Sequence, residues 1–65
     1  MPSAVIATFE YDPHTCVLKV QFTSGVIYEY LDVPQKAFED MKKAFSKGKF
    51  LNAHIKTNYG FRRLS

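Results

Sequence analysis

The sequence predicts an α+β fold: a three-stranded antiparallel meander with two helices packed on one face and an extended C-terminal tail, a single domain over residues 1–65. Three observations carry this. Apolar residues alternate with polar ones as far as residue 31, the period of half-buried strands. From 34 to 55 they recur at helical spacing instead. Clusters of turn-forming residues fall at 12–15 and 23–25 and divide the alternating half into three strands.

Val5, Ala7, Phe9 and Tyr11 share one side of the first strand. In Asp12-Pro13-His14-Thr15, proline presets φ and aspartate bonds its own backbone, which predicts a four-residue loop. That loop pairs Tyr11 with Cys16, Phe9 with Leu18 and Ala7 with Val20. Cys16, Leu18, Val20 and Phe22 then form the apolar side of the second strand. A two-residue turn at Ser24-Gly25 would set Val20 against Glu29. A three-residue loop with Gly25 in the left-handed conformation instead pairs Phe22 with Val26, Val20 with Tyr28 and Leu18 with Tyr30. It also sets Lys19 against Glu29 on the other face, a favourable cross-strand pair. That other face mixes polar residues with Ile6, Val17, Ile27 and Leu31, an apolar patch that predicts a homodimer or higher even oligomer.

Asp32 as cap and Pro34 in the first turn open the first helix. Its stripe of Pro34, Ala37, Phe38, Met41, Ala44 and Phe45 covers the apolar sheet face, while Lys36, Asp40 and Lys43 point away. Ser46-Lys47-Gly48-Lys49 interrupts the pattern. A shorter helix follows over roughly 50–56, with Leu51 and Ile55 inward and Lys49, Asn52 and Lys56 together on its outer side. Asn58 and Gly60 end it, and the alternation of Tyr59, Phe61 and Leu64 lays the tail against a sheet edge.

Sixty-five residues are too few to enclose a large active-site cavity, which leaves a surface cleft, a flat face or a pocket shared between copies. Cys16 is the only cysteine, so there is no internal disulfide, and its place in the alternation makes it a packing thiol. His14 and His54 have no second ligand at metal-binding spacing, and Gly25, Gly48 and Gly60 are isolated rather than part of a nucleotide fingerprint. No catalytic residue, metal site or cofactor is therefore expected. Met1-Pro2-Ser3 opens neither a signal peptide nor a membrane span, which predicts a cytoplasmic chain with no membrane partner.

Charge points to a partner. The net charge of +3 hides a division: residues 1–40 carry −4, and residues 41–65 carry +7 from Lys42, Lys43, Lys47, Lys49, Lys56, Arg62 and Arg63 with no acid. Such a half suits an anionic partner: nucleic acid, a nucleotide or an acidic protein face. Within it, Ser46, Lys47, Gly48, Lys49 and Asn52 surround a helix start, and Lys56 follows one turn on. Amides, a hydroxyl and ammonium groups there suit a phosphate. The same residues also suit a plain helix–helix connection, with Gly48 closing the first helix and the lysines in water. Tyr59, beside Arg62 and Arg63, is a base-stacking candidate, as are Tyr28 and Tyr30, which otherwise serve as core-rim aromatics.

Gly25-x-x-Tyr28-x-Tyr30-x-x-Val33-Pro34, followed by Ser46-x-Gly48-x-Phe50-x-Asn52-x-x-Ile55 and Tyr59, resembles the KTSC domain family over nearly the whole chain. That family occurs at the C-terminus of some lysyl-tRNA synthetases and as free-standing small proteins. The resemblance implies RNA as a ligand and places the family's motif residues on Tyr28, Tyr30, Ser46, Gly48, Phe50 and Asn52. The expected function is a non-enzymatic module that binds a phosphate-bearing ligand, RNA or other nucleic acid first. Two other readings use the same residues. One is a homo-oligomer that sequesters a nucleotide signal between subunits, as a phage antidefence protein would. The other is a module for an acidic protein partner.

Overall fold

The computed structural model describes residues 6–64. The chain runs β1 (Ile6–Asp12), β2 (Val17–Phe22), β3 (Ile27–Tyr30), α1 (Gln35–Lys43), α2 (Lys47–Phe50) continued by one π-helical turn (Leu51–Ile55), and β4 (Phe61–Arg63). The sheet has four strands in sequence order, each antiparallel to its neighbour, where the sequence predicted three. The fourth is the tail. Its alternation is the period of a strand, and the open edge of β3 offers unpaired backbone groups. Phe61 sits opposite Tyr30, Arg62 opposite Glu29 and Arg63 opposite Tyr28. Leu31 N–H donates to Gly60 O at 2.8 Å, and Leu64 N–H donates to Ile27 O at 2.8 Å, which extends the pairing at both ends.

The second hairpin has the expected register, with Leu18 opposite Tyr30, Lys19 opposite Glu29 and Val20 opposite Tyr28. Gly25, at φ 95°, supplies the left-handed residue of its three-residue loop. The first hairpin departs from expectation. Phe9 faces Val20 and Tyr11 faces Leu18, so the loop is 13–16 rather than 12–15. Cys16 is not a strand residue: it adopts φ 58° and its N–H donates to Asp12 O at 2.8 Å. Asp12 Oδ1 accepts from His14 N–H at 2.9 Å, which tightens the turn one residue later than composition suggests. The register moves by two, an even number, so the faces of Phe9, Tyr11, Leu18 and Val20 are unchanged.

An irregularity between Ile6 and Thr8 does change faces. Ile6 pairs with Phe22 and packs against the core, while Ala7 is exposed, the reverse of the expected alternation. A bulge adds one residue to one strand and so inverts the side-chain pattern beyond it. Val5 lies outside the described residues.

Asp32 does not cap α1. It takes φ 59° between β3 and α1, a left-handed conformation that aspartate tolerates, and Pro34 occupies the cap position without a side-chain bond. The chain crosses there through Val33, which is fully buried. Its N–H donates to Cys16 O at 2.8 Å and its carbonyl accepts from Tyr11 OH at 2.6 Å. The Tyr11 ring stacks on Phe38 of α1 with centroids 4.9 Å apart, and Phe9 meets Phe38 edge-on at 5.8 Å.

Met41 is the buried residue of α1, with Ala37 and Phe38 packed beside the core. The helix stops at Lys43 and Ala44 is extended, so Phe45 leaves the predicted stripe and stands fully exposed. The second helix starts earlier than expected. Ser46 caps it by accepting from Lys49 N–H at 3.3 Å, and Gly48 lies inside α2 instead of closing α1. Leu51 and Ile55 complete a core with Leu18, Val20, Phe22, Tyr30, Val33 and Met41.

Burial raises the Tyr11 phenol above its ordinary pKa, and nearby Cys16 and Asp12 push the same way. Burial raises Tyr30 likewise, with Tyr28 adding to it. A phenol whose folded pKa exceeds its unfolded value of about 10 keeps its contribution below that pH. The contribution is lost as pH rises through the folded value. The urea midpoint should therefore fall above about pH 10. Tyr11→Phe should lower the midpoint at pH 7, by losing the bond to the Val33 carbonyl, and make the alkaline decline shallower. An unchanged midpoint at pH 7 would show that this bond does not hold the crossing.

Candidate functional site

The register of the sheet puts Tyr28, Tyr30 and Phe61 on the face that meets the helices, along with Phe22. The second helix covers part of that face and stops short of the rest. The gap is a cavity of about 350 Å³ between β3, β4 and the second helix, within the range of small-ligand pockets. Buried Tyr30 and Phe22 line it, together with Val26 and Ser24. Tyr28 and Phe61 form the aromatic wall, with ring centroids 5.2 Å apart and planes at 90°. Tyr30 lies 5.9 Å from Phe61 and 6.2 Å from Tyr28. Phe61 remains 52% exposed, so its ring is available at the mouth.

The polar groups come from the opposite wall. Asn52 and Lys56, one turn apart on the second helix, are both exposed and both line the cavity. Asn52 lies within the π-helical turn and Lys56 directly after it, where the turn's wide bond runs from Lys56 N–H to Leu51 O at 2.7 Å. Such turns recur at functional sites. No acidic residue lines the cavity. Rings, one amide and one ammonium can hold a flat, polar-edged group that carries negative charge.

The structure therefore gathers Tyr28, Tyr30, Asn52 and Lys56 from the residues singled out by sequence, and disperses the others. Ser46 is engaged as a helix cap. Lys47 Nζ donates to Ala44 O at 3.0 Å, which satisfies a carbonyl at the end of α1. Lys49 is exposed in an open concavity with Phe45, Phe50 and His54, at the elbow between the helices. Tyr59 packs against the core.

Arg62 lies on the opposite sheet face, where Nε at 3.0 Å and Nη2 at 2.6 Å both donate to Glu29 Oε1. Arg63, opposite Tyr28, belongs to the pocket face by register. Glu10, Lys19, Glu29 and Arg62 form a row of alternating charge across all four strands. That row runs through the mixed face expected to carry an apolar patch. Ile6 has left it, and Val17, Ile27 and Leu31 remain half-buried beside it.

Phe61, Phe22 and Val26 were not foreseen as site residues. The signal for Phe61 was present in the tail's alternation, which matches that of Tyr28 and Tyr30 once the tail is paired with β3. Among the described residues, no group of three or more His, Cys, Asp or Glu side chains could hold a metal ion. No helix among them is long and apolar enough to cross a membrane.

The model of the KTSC domain matches residues 2–59. A lysine–tRNA ligase from Nostoc punctiforme is 42% identical over 62 residues, covering 95% of this chain and 11% of the ligase. The chain thus spans about a tenth of the length of that relative. A protein from Tsukamurella paurometabola is 37% identical over 57 residues, covering 88% of this chain and 85% of its own length. The crystal structure of a KTSC domain protein from Yersinia pestis superposes with a TM-score of 0.86 at 35% identity, covering 100% of this chain and 92% of that one.

Two of the three lysines on the second helix should separate by stability. Lys47→Ala should lower the unfolding free energy by about 0.5–1.5 kcal/mol, the usual worth of one hydrogen bond. Lys56→Ala should stay within about 0.5 kcal/mol of wild type, as an exposed substitution does. Urea denaturation at pH 7 measures both, and equal losses would contradict the division of roles.

Proposed function

The chain belongs to the KTSC domain family, and on that premise we propose that it is a non-enzymatic module binding a phosphate-bearing ligand, single-stranded RNA first. One unstacked base enters the aromatic pocket and its backbone passes the basic second helix. The observation that carries this reading is the pocket's composition: Tyr28, Tyr30 and Phe61 face Asn52 and Lys56, with no acid among the lining residues.

Sequence-specific RNA readers splay a base out of the strand, stack it on aromatic rings and hydrogen-bond its edge. Asn52 offers both donor and acceptor for that edge, and Lys56 offers charge for a phosphate. The remaining basic residues of the +7 half raise the local concentration of a polyanion. The name of the Nostoc relative, a lysine–tRNA ligase, gives RNA preference over other polyanions.

A second reading is favoured by size alone. About 350 Å³ is at the small end of ligand pockets, which suits capture of a single nucleotide, with a second copy completing the enclosure.

Fluorescence anisotropy with a labelled RNA octamer across 25–200 mM salt distinguishes the two. Affinity should fall with salt, and Lys56→Ala should flatten the log–log slope by about 0.7, the counterion release of one single-strand phosphate contact. Tyr28→Ala should weaken binding by about 1–3 kcal/mol, the worth of one stacked base, with circular dichroism confirming that the variant folds. Lys47→Ala should leave the slope unchanged. Absence of RNA binding at 25 mM salt would overturn the RNA reading. Salt-independent, stoichiometric binding of a mononucleotide alone would replace it with nucleotide capture.

A further inference from the structure

We infer that the elbow between the two helices is a second stacking point, so that the ligand is a single strand of about three to four nucleotides lying along the second helix. This rests on the RNA reading of the pocket and extends it to ligand length and path.

Phe45 is the starting observation. It is fully exposed, the most exposed large apolar side chain described, because α1 ends at Lys43 and the chain turns outward before Ser46. Around it the elbow is basic. Lys42 is engaged, pairing with Glu39 at 3.5 Å and lying over the Phe38 ring at 5.3 Å. Lys43 and Lys49 enter no ion pair among the described residues. Lys49 lines the open concavity beneath Phe45, where Phe50 and His54 sit in ring contact at 4.7 Å. A bare ring with the Lys49 ammonium lining the same concavity presents a π-face and positive charge together, the chemistry that takes a base and its phosphate. A lipid surface calls for a continuous apolar face, and here Ser46 and Lys49 break it.

The elbow and the pocket are also joined. Lys49, Asn52 and Lys56 stand at i, i+3 and i+7, one stripe of the second helix. Lys49 lines the elbow, while Asn52 and Lys56 line the pocket. Lys49 and Lys56 are at most about 10 Å apart along the helix axis, the α-helical rise of 1.5 Å per residue being an upper limit across the wider π-helical turn. At the duplex stacking distance of about 3.4 Å per nucleotide, that stripe spans at most about three nucleotide steps.

The test uses labelled oligouridylates of one, two, four and eight nucleotides with wild type, Phe45→Ala, Phe45→Tyr and Tyr28→Ala. Wild-type affinity should rise steeply between two and four nucleotides and little beyond. Phe45→Ala should weaken the tetramer by about fivefold or more, the loss of one stacked base. It should leave the mononucleotide unaffected, and Phe45→Tyr should restore the tetramer. Phe45 touches no core residue, so folding is not at stake. If Phe45→Ala binds the tetramer as wild type does while Tyr28→Ala loses it, the elbow proposal is overturned and the pocket reading stands. If wild type binds no oligouridylate, both fall. Wild-type binding to phosphatidylserine vesicles that Phe45→Ala loses, with no dependence on RNA length, would assign the elbow to a membrane and overturn the proposal.

Discussion

Coverage of one sheet face is the constraint from which the rest of the molecule follows. The face is four strands wide, and the chain has two short helices to lay across it. Apolar area removed from water is the main stabilising term in folding, so the helices are spent where burial is deepest. Met41, Leu51, Ile55 and Val33 seal Leu18, Val20 and Tyr30 almost completely. Helix runs out before the corner formed by Phe22, Val26, Tyr28 and Phe61 is closed. The pocket is that shortfall, which is why sheet aromatics line it, with Asn52 and Lys56 from the bordering helix and Ser24 from the β2–β3 loop as its polar groups.

Where the helices land is decided by the passage through Val33. Both polar backbone groups of this buried residue are satisfied by the first hairpin: Cys16 gives its carbonyl and Tyr11 its hydroxyl. Buried amides and carbonyls left unpaired are costly, so the crossing is fixed in place. Cys16 can present that carbonyl because it sits in the loop in the left-handed conformation. The same Tyr11 ring lies against Phe38, so hairpin, crossing and first helix share one side chain.

Much of this was legible in the sequence, and the failures have local causes. Alternation with a glycine at the right place was enough for the register of β2 and β3, because of the two loop lengths open to Gly25 only the three-residue one pairs Lys19 with Glu29 and apolar residues with each other. The first hairpin was misplaced by two residues because a non-glycine residue, Cys16, takes the left-handed position. The bulge that moves Ile6 inward leaves no mark in composition. Phe45 followed the helical period but lay past the end of the helix, since period alone does not say where α1 stops. At the site, Tyr28, Tyr30, Asn52 and Lys56 were visible as residues, whereas their convergence with Phe61 depended on a three-residue strand too short to be read locally. Lys47 and Arg62 looked like ligands by charge and are held by a carbonyl and a carboxylate within the chain.

The central claim is that the uncovered corner of the sheet receives one base of a single strand. Nitrogen-15 chemical-shift mapping during titration with a uridine tetranucleotide tests it most directly. The account predicts shifts concentrated at Ser24, Val26, Tyr28, Asn52, Lys56 and Phe61, with the charged row of Glu10, Lys19 and Glu29 on the far face left in place. Shifts confined to that far face, with the pocket amides unmoved at saturation, would contradict it.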